Sequence, residues 1–171
     1  MESPSCPSCN KDFVRRAHRQ GPAEVLFSLF YLYPFRCQLC TQRFLALQWG
    51  YRYKRYTPDR REYLRIPVRV HAAFLGEESQ GEGTAADISM RGCALATDTR
   101  PAQGEVLRLK LDLQNGRPET IEVEAAVVRN VVGRQYGLEF LRIHSREKEQ
   151  LGKVIEHHLH SRPMQQARLV S

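Results

Sequence analysis

Residues 107–113 read LRLKLDL, and this stretch decides the fold class. Its four leucines alternate with Arg108, Lys110 and Asp112. Because successive side chains of a β-strand point to opposite faces, the leucines fall on one face and the charges on the other. This pattern predicts a half-buried antiparallel strand, with one face against a core and the other in water.

Neighbouring segments repeat the strand pattern. Residues 121–127 read IEVEAAV, and the intervening residues 114–118, QNGRP, are typical of a tight turn. Ile66 to Leu75 and Gln135 to Leu141 are further predicted strands. Several short strands joined by turns indicate a mostly β domain, built as a small barrel or sandwich.

The C-terminal region follows a different period. Its apolar residues recur at helical spacing: Leu151, Val154, Ile155 and Leu159. Ser145 is the predicted N-cap of this helix, whose apolar face we expect to pack on the β domain. Residues 162–171 show no pattern and are assigned to a tail.

The positive charge of the chain is concentrated at one end. Of the net charge of +7, residues 1–65 carry 12 Lys/Arg and 5 Asp/Glu, whereas residues 66–171 carry 14 of each. This asymmetry favours an anionic partner: a nucleotide, a nucleic acid or a membrane surface. An apolar content of 42% allows a packed core and argues against a wholly disordered chain.

The most apolar stretch, Val25 to Phe35, has 11 residues, whereas a membrane-spanning helix needs about 20. We interpret it as the small core of the N-terminal segment, with a helix over Val25 to Tyr33. A docking surface or a weak membrane-surface contact is the alternative. The polar start, Met1 to Cys6, lacks the features of a secretory signal, so we expect a cytoplasmic protein.

Four of the five cysteines form two C-x2-C pairs, separated by 27 residues: Cys6 with Cys9, and Cys37 with Cys40. A two-residue spacing lets one tight turn aim both thiolates at one ion, and two such turns complete a tetrahedral Zn²⁺ site. Four thiolate ligands leave no open position, so we expect this zinc to be structural. Disulfides, redox-active pairs and free thiols are the alternatives. Cys93 lies in an apolar run and is interpreted as an inert core residue.

Two polar motifs flank the first predicted strand of the β domain. Residues 59–65 read DRREYLR, and residues 87–92 read DISMRG. Alone, the first is typical of a solvated basic linker and the second of an ordinary turn. Asp87 and Ser89 are two residues apart on a strand end, so their side chains point to the same side. Gly92 permits a turn or a close backbone approach.

Together, the motifs R-R-x3-R and D-x-S-x2-G, separated by one strand, resemble the PilZ domain family. Residues 137–140, GLEF, are similar to a late G-x-x-F element of that family. The resemblance covers roughly residues 55–160. It implies a six-stranded antiparallel β-barrel with a C-terminal helix, and a bacterial receptor for the second messenger cyclic di-GMP. The four-cysteine segment in front resembles a zinc ribbon and lies outside the PilZ core.

The resemblance also implies the ligand-binding residues: Arg60, Arg61, Arg65, Asp87, Ser89 and Gly92. Arginine can bind phosphate oxygens bidentately, reach guanine O6 and N7, and stack on a base. The carboxylate of Asp87 can accept hydrogen bonds from guanine N1 and N2, and Ser89 can add a polar contact. Arg60, directly before the R-x3-R pair, is similar to the arginine of family members that bind an intercalated cyclic di-GMP dimer.

These observations predict four regions: a zinc-ribbon-like module over residues 1–49, a basic linker over 50–65, the PilZ barrel with its helix over 66–161, and the tail. We expect cyclic di-GMP to order the linker and reorient the zinc module toward an unidentified downstream protein.

Two other functions stay open. In the linker, Tyr51, Tyr53 and Tyr56 interleave with basic residues, as in proteins that bind single-stranded nucleic acid. The chain could also be a protein-interaction adaptor whose barrel binds no nucleotide. We expect no enzymatic activity, because the sequence offers neither a nucleophile–base pair nor an open metal site.

Overall fold

The structure is a computed structural model, and it describes residues 4–50, 63–114 and 118–161. The chain divides into two compact units, Met1–Leu64 and Arg65–Ser171. Each unit has its own sheet and its own buried apolar residues.

The first unit is a three-stranded antiparallel sheet with one helix. Its elements are β1 (Val14–Arg16), α1 (Gly21–Leu29), β2 (Leu32–Cys37) and β3 (Arg43–Leu47), and the strand order is β1-β2-β3. The central strand β2 supplies Tyr33 and Phe35 to the small core, where both side chains are buried. Cys6, Cys37 and Leu39 of the same unit are also buried.

The apolar stretch of this unit is divided between two elements, which corrects the interpretation made from sequence. The helix spans Gly21–Leu29 rather than Val25 to Tyr33, and Leu32 already belongs to β2. Tyr31 lies between the two with φ 60°, a left-handed conformation that ends the helix. Only the strand half of the stretch is buried, so only that half forms the core.

The second unit is a closed six-stranded antiparallel barrel, which confirms the predicted fold class. Its strands are β4 (Ile66–Leu75), β5 (Gln80–Ser89), β6 (Gly92–Ala96), β7 (Val106–Gln114), β8 (Pro118–Val132) and β9 (Gln135–Ile143). The order around the barrel is β4-β5-β6-β9-β8-β7. Each of the six described strands therefore pairs with two neighbours.

Alternation places the barrel core where the sequence predicts it. Leu107, Leu109 and Leu111 of β7 are buried, as are Ile121 and Val123 of β8. The predicted turn between these strands falls mainly on residues 115–117, which lie outside the described residues.

A C-terminal helix, α2 (Ser145–His160), follows the barrel. All four of the apolar residues predicted at helical spacing are buried: Leu151, Val154, Ile155 and Leu159. The N-cap is His144 rather than Ser145, because the carbonyl of His144 accepts the first helical hydrogen bond, from the Lys148 N–H at 2.9 Å. Neither helix in the described ranges has the length and apolar character needed to cross a bilayer.

Candidate functional site

The two motifs meet through an ion pair, although β4 and most of β5 lie between them rather than the one strand predicted from sequence. Arg65, directly before β4, donates a hydrogen bond from Nη1 to Oδ1 of Asp87 on β5 at 2.9 Å. The pairing of Pro67 with Asp87 across the two strands brings the side chains together. Each side chain is 27% exposed, so the pair lies at the barrel surface, where a ligand could reach it.

Ser89 shapes the turn that follows β5. Its side chain is buried, and its hydroxyl donates to the carbonyl oxygen of Gly92 at 3.1 Å. The Arg91 N–H in turn donates to Ser89 Oγ at 3.4 Å. Ser89 therefore closes the two-residue turn between β5 and β6, the kind of local hydrogen bond that favours serine in turns.

Gly92 is required by the approach of another strand. It pairs with Glu139 of β9, and a Cβ at this position would collide with the carbonyl oxygen of Leu138. The sequence predicts a close backbone approach at Gly92, and the approaching chain is β9 of the same barrel. A side chain here would force the β6 and β9 backbones apart.

The GLEF segment forms part of β9 beside this turn. Leu138 and Phe140 are buried, whereas Glu139 binds Arg91 Nη2 at 3.3 Å and Arg129 Nε at 2.7 Å. Sequence reasoning missed this cluster of one carboxylate and two guanidiniums. Alternation along β9 signals an outward Glu139, but only the barrel register brings the arginines to it.

Part of the predicted site lies outside the described residues. This is so for Arg60 and Arg61, and for the linker tyrosines Tyr51, Tyr53 and Tyr56. The structure thus brings together Arg65, Asp87, Ser89 and Gly92 among the predicted ligand-binding residues.

The residues directly before Arg65 are held by the first unit. Arg36 Nη1 donates to the Tyr63 hydroxyl at 2.9 Å, and the Arg36 guanidinium lies 5.4 Å from the ring centroid of Tyr63. The Leu64 N–H donates to Oε1 of Gln38 at 2.6 Å. Gln38 lies between the second pair of cysteines and is buried, so this anchor is part of the four-cysteine region.

Four cysteines come together in the first unit, as the paired spacing predicts. The Sγ atoms of Cys6, Cys9, Cys37 and Cys40 all lie within 4.8 Å of one another. Cys6 and Cys40 are 3.4 Å apart at sulfur, and Cys9 and Cys37 are 3.6 Å apart. A disulfide needs about 2.05 Å, and all four thiols are free.

The two cysteine turns share one local geometry. The N–H of Cys6 donates to the Lys11 carbonyl at 2.8 Å, and the N–H of Cys37 donates to the Gln42 carbonyl at 2.9 Å. Asn10 and Thr41, each directly after a second cysteine, have φ angles of 54° and 68°. Each turn therefore projects its two sulfurs toward the same point.

The cluster fits a tetrahedral metal ion. Four sulfurs at about 2.3 Å from zinc lie about 3.8 Å apart, close to the sulfur distances of the cluster. Burial raises the pKa of the Cys37 thiol to about 12. Burial also acts to raise the pKa of Cys6, but the N–H groups of Cys9 and Ser8 lower it overall. A divalent cation would stabilise the thiolates that burial disfavours.

The fifth cysteine, Cys93, lies in the barrel and is fully buried. Burial, with a smaller effect from the Asp87 carboxylate, raises the pKa of its thiol to about 12. The thiol therefore stays protonated at neutral pH, which confirms the interpretation of Cys93 as a core residue.

Comparison with known protein families identifies the barrel unit. Residues 59–157, more than half of the chain, match the PilZ domain. This chain belongs to the PilZ domain family. The match covers both polar motifs and the GLEF segment, so the resemblance inferred from those residues is confirmed. The comparison with curated proteins returned no match.

Solved structures support the same fold. The Bacillus subtilis inhibitor of motility, MotI/DgrA, has a TM-score of 0.54 at 23% identity, covering 77% of this chain and 66% of that chain. K. pneumonia MrkH in its apo state has a TM-score of 0.50 at 17% identity, covering 86% and 77%. The MrkH–c-di-GMP complex has a TM-score of 0.50 at 16% identity, covering 90% and 80%. At these identities the likeness concerns the fold.

Proposed function

We propose that this PilZ protein is a receptor for cyclic di-GMP. The observation that carries the proposal is the Arg65–Asp87 pair at the barrel surface, beside the turn closed by Ser89 and Gly92. These residues belong to the two motifs by which the chain resembles its family, and MrkH, a protein of similar fold, has been solved in complex with c-di-GMP.

The pair offers complementary chemistry to a guanine nucleotide. The Arg65 guanidinium can bind a phosphate or guanine O6 and N7, because it presents several donors in one plane. An ionised carboxylate has about four acceptor positions, so the bond from Arg65 leaves Asp87 capacity for guanine N1–H and N2–H. Adenine lacks these two donors, so Asp87 would supply the preference for guanine.

The remaining predicted residues complete the site in different ways. Arg61 and Arg60 add positive charge four and five residues before Arg65 in sequence. Ser89 and Gly92 shape the turn, since the Ser89 hydroxyl bonds to the Gly92 carbonyl. We infer that Ser89 acts on the ligand mainly through this turn.

Substitutions at the ion pair test the assignment by calorimetric titration with cyclic di-GMP. Arg65→Ala should weaken binding about ten- to a hundredfold, because it removes hydrogen bonds to a charged ligand worth about 1.5–3 kcal/mol. Asp87→Asn should reduce the preference for cyclic di-GMP over cyclic di-AMP. Arg134→Ala is the matched control, because Arg134 pairs with Asp98 at 2.7 Å beyond the other end of β6. Wild-type affinity in Arg65→Ala, or equal losses in Arg65→Ala and Arg134→Ala, would overturn the assignment.

The signal would pass through the residues before Arg65. Tyr63 and Leu64 are bound to Arg36 and Gln38 of the first unit. A ligand held by Arg61 and Arg65 would therefore order the linker against the barrel and change how the zinc module is presented to a downstream partner. Solution scattering with and without cyclic di-GMP should differ, and superimposable profiles would contradict this mechanism.

Arg60 sets an expectation for stoichiometry. An arginine at this position resembles that of family members that bind an intercalated dimer, so we infer two cyclic di-GMP molecules per chain. Calorimetry that saturates at one ligand per chain would contradict this inference.

We infer further that the four cysteines hold a structural zinc ion. The sulfur distances and the matched geometry of the two cysteine turns support this inference. Zinc bound by Cys6, Cys9, Cys37 and Cys40 would supply much of the folding free energy of a unit with so small an apolar core.

A further inference from the structure

The helix α1 turns its polar side chains, not its apolar ones, toward the rest of the first unit. Glu24 and Ser28, one turn apart, are the least exposed residues of the helix, whereas the apolar residues around them are exposed. None of the nine residues of α1, all within the described part of the chain, is buried. An ordinary surface helix has the opposite arrangement, with its apolar stripe against the core.

Specific hydrogen bonds hold the helix in this orientation. Arg43 of β3 donates from Nη2 to both carboxylate oxygens of Glu24, at 2.7 and 2.9 Å. Arg19 Nη1 donates to Ser28 Oγ at 2.9 Å. The inward face is therefore fixed by polar contacts, and the outward face is left apolar.

The outward face carries large side chains. Exposed on or directly after α1 are Val25, Leu26, Phe27, Leu29 and Phe30. Leu29 is 72% exposed and Phe30 65%. Isolated exposed apolar residues are common, but a contiguous set of this kind marks an interaction surface.

The end of β3 extends the same surface. Leu45 and Leu47 lie on one side of the strand, Trp49 follows in the turn after it, and all three are exposed. The Gln48 N–H donates to the Tyr31 carbonyl at 2.8 Å, and the rings of Tyr31 and Trp49 lie 4.9 Å apart. Because Tyr31 follows Phe30 directly, these contacts join the two exposed sets. We call their sum the α1/β3 surface: Val25, Leu26, Phe27, Leu29, Phe30, Leu45, Leu47 and Trp49.

Positive charge borders this surface. Arg15, Arg36 and Arg43 are paired in register across the three strands. Directly paired residues share a sheet face, as do alternate residues of one strand, so this row lies on the face of Leu45 and Leu47. Residues 4–50 contain six Lys/Arg and two Asp/Glu, a net charge of +4, and the segment stays positive, at +2, when the four thiolates and the Zn²⁺ of the proposed cluster are included.

We propose that the α1/β3 surface docks the protein onto an anionic lipid bilayer. A protruding apolar face with a cationic border is the combination by which interfacial helices bind acidic membranes. Tryptophan and tyrosine favour the headgroup region, which is where Trp49 and Tyr31 would lie at the edge of the surface. The surrounding positive charge would be attracted to acidic headgroups. The α1/β3 surface belongs to the first unit, whereas the proposed nucleotide site belongs to the barrel unit.

Trp49 is the single tryptophan of the chain and is 68% exposed, so it reports on this surface directly. The zinc-loaded whole chain is titrated with vesicles of phosphatidylcholine alone, or of equal parts phosphatidylcholine and phosphatidylglycerol. We expect a blue shift of Trp49 emission and co-sedimentation with the acidic vesicles, both reduced as salt increases. Equal binding to both compositions, or no emission shift, would overturn the proposal.

A matched pair of variants tests the residues. L29E/F30E places two carboxylates on the surface and should lower partitioning to acidic vesicles at least about tenfold. V132E/L141E makes the same change at barrel residues that are 63% and 53% exposed, and should bind as the wild type does. Equal partitioning of the two variants overturns the proposal. Self-association of the wild-type chain in buffer, if L29E/F30E abolishes it, would also overturn the proposal, because it would assign the surface to a second copy of the chain.

Discussion

Gly92 lies where β6 and β9 approach closely beside the proposed nucleotide site. A Cβ there would collide with the Leu138 carbonyl oxygen and crowd the Cα of Glu139, neither of which can rotate away. We expect Gly92→Ala to lower the free energy of unfolding by about 1–3 kcal/mol.

Gly137 provides the control for this prediction. It lies on the same strand pair, opposite Ala94, but a Cβ there would meet Asn130 at an ordinary contact of 3.5 Å. Gly137→Ala should change stability by no more than about 0.5 kcal/mol. Urea denaturation followed by circular dichroism measures both, and equal midpoints for the two variants would show that the close approach at Gly92 is unimportant.

At the residue scale, motif spacing selects residues that lie close together in the barrel, but it does not predict the contacts between them. Arg65 and Asp87 can be selected from sequence, but their pairing depends on the register between Pro67 and Asp87. Ser89 is predicted as a ligand contact, and the bond from its hydroxyl to the Gly92 carbonyl could not be predicted. Such roles depend on distances set by the barrel, and local sequence contains no measure of them.

At the scale of elements, alternation predicts the barrel strands because one face of each is buried. The structure of the N-terminal apolar run is harder to predict. Residues 25–33, VLFSLFYLY, begin in an exposed helix and end in a buried strand. A continuous apolar run has no period that separates these two structures. Two polar residues could have indicated the helix and its inward face: Glu24 and Ser28 are one helical turn apart, and both face inward.

The β4 strand carries a pH-dependent contact between elements. His71 lies between Asp112 of β7 and Glu82 of β5, with ring nitrogens at 3.1 and 3.3 Å from their carboxylates. Hydrogen bonds to Asp112 and Glu82 raise the pKa of His71 above its usual value of 6.5. Because the folded pKa is raised, the stabilisation is fully present below about pH 6.5 and is lost as pH rises through the folded pKa.

We therefore expect His71→Gln to lower the urea midpoint below about pH 6 and to have less effect near pH 9, because the stabilisation is lost as the imidazole loses its proton. The double variant His71→Gln/Asp112→Asn should behave as His71→Gln does near pH 9. A wild-type midpoint in His71→Gln at acid pH would contradict the assigned contact.

At the scale of the whole molecule, the division into two compact units predicts separate responses to metal removal. Residues Met1–Leu64 would depend on zinc, whereas the barrel has its own buried core. The purified chain should contain one zinc ion, and Cys37→Ser should lose it. Cys93→Ala, which removes the cysteine outside the cluster, should keep it.

Hydrogen exchange gives the readout for this prediction. With a chelator, amides of Leu32–Cys37 should lose protection, while those of Val106–Gln114 should stay protected. Loss of protection in both strands, or in neither, would contradict the separate dependence of the first unit on zinc.

The cysteine cluster and the family are well predicted from sequence, because their signals are local. Cysteine spacing gives the cluster, and the paired motifs give the family. Two features could not be predicted, because both depend on contacts between residues far apart in sequence. One is the orientation of α1, whose apolar side chains face outward. The other is the binding of Tyr63 and Leu64 to Arg36 and Gln38.

One calorimetric titration of the whole chain with cyclic di-GMP, beside cyclic di-AMP and GTP, tests the central claim most directly. We expect saturable binding of cyclic di-GMP that weakens with salt, and much weaker binding of the other two nucleotides. Absence of heat with cyclic di-GMP, or equal affinity for cyclic di-AMP, would show that the Arg65–Asp87 site does not make this chain a cyclic di-GMP receptor.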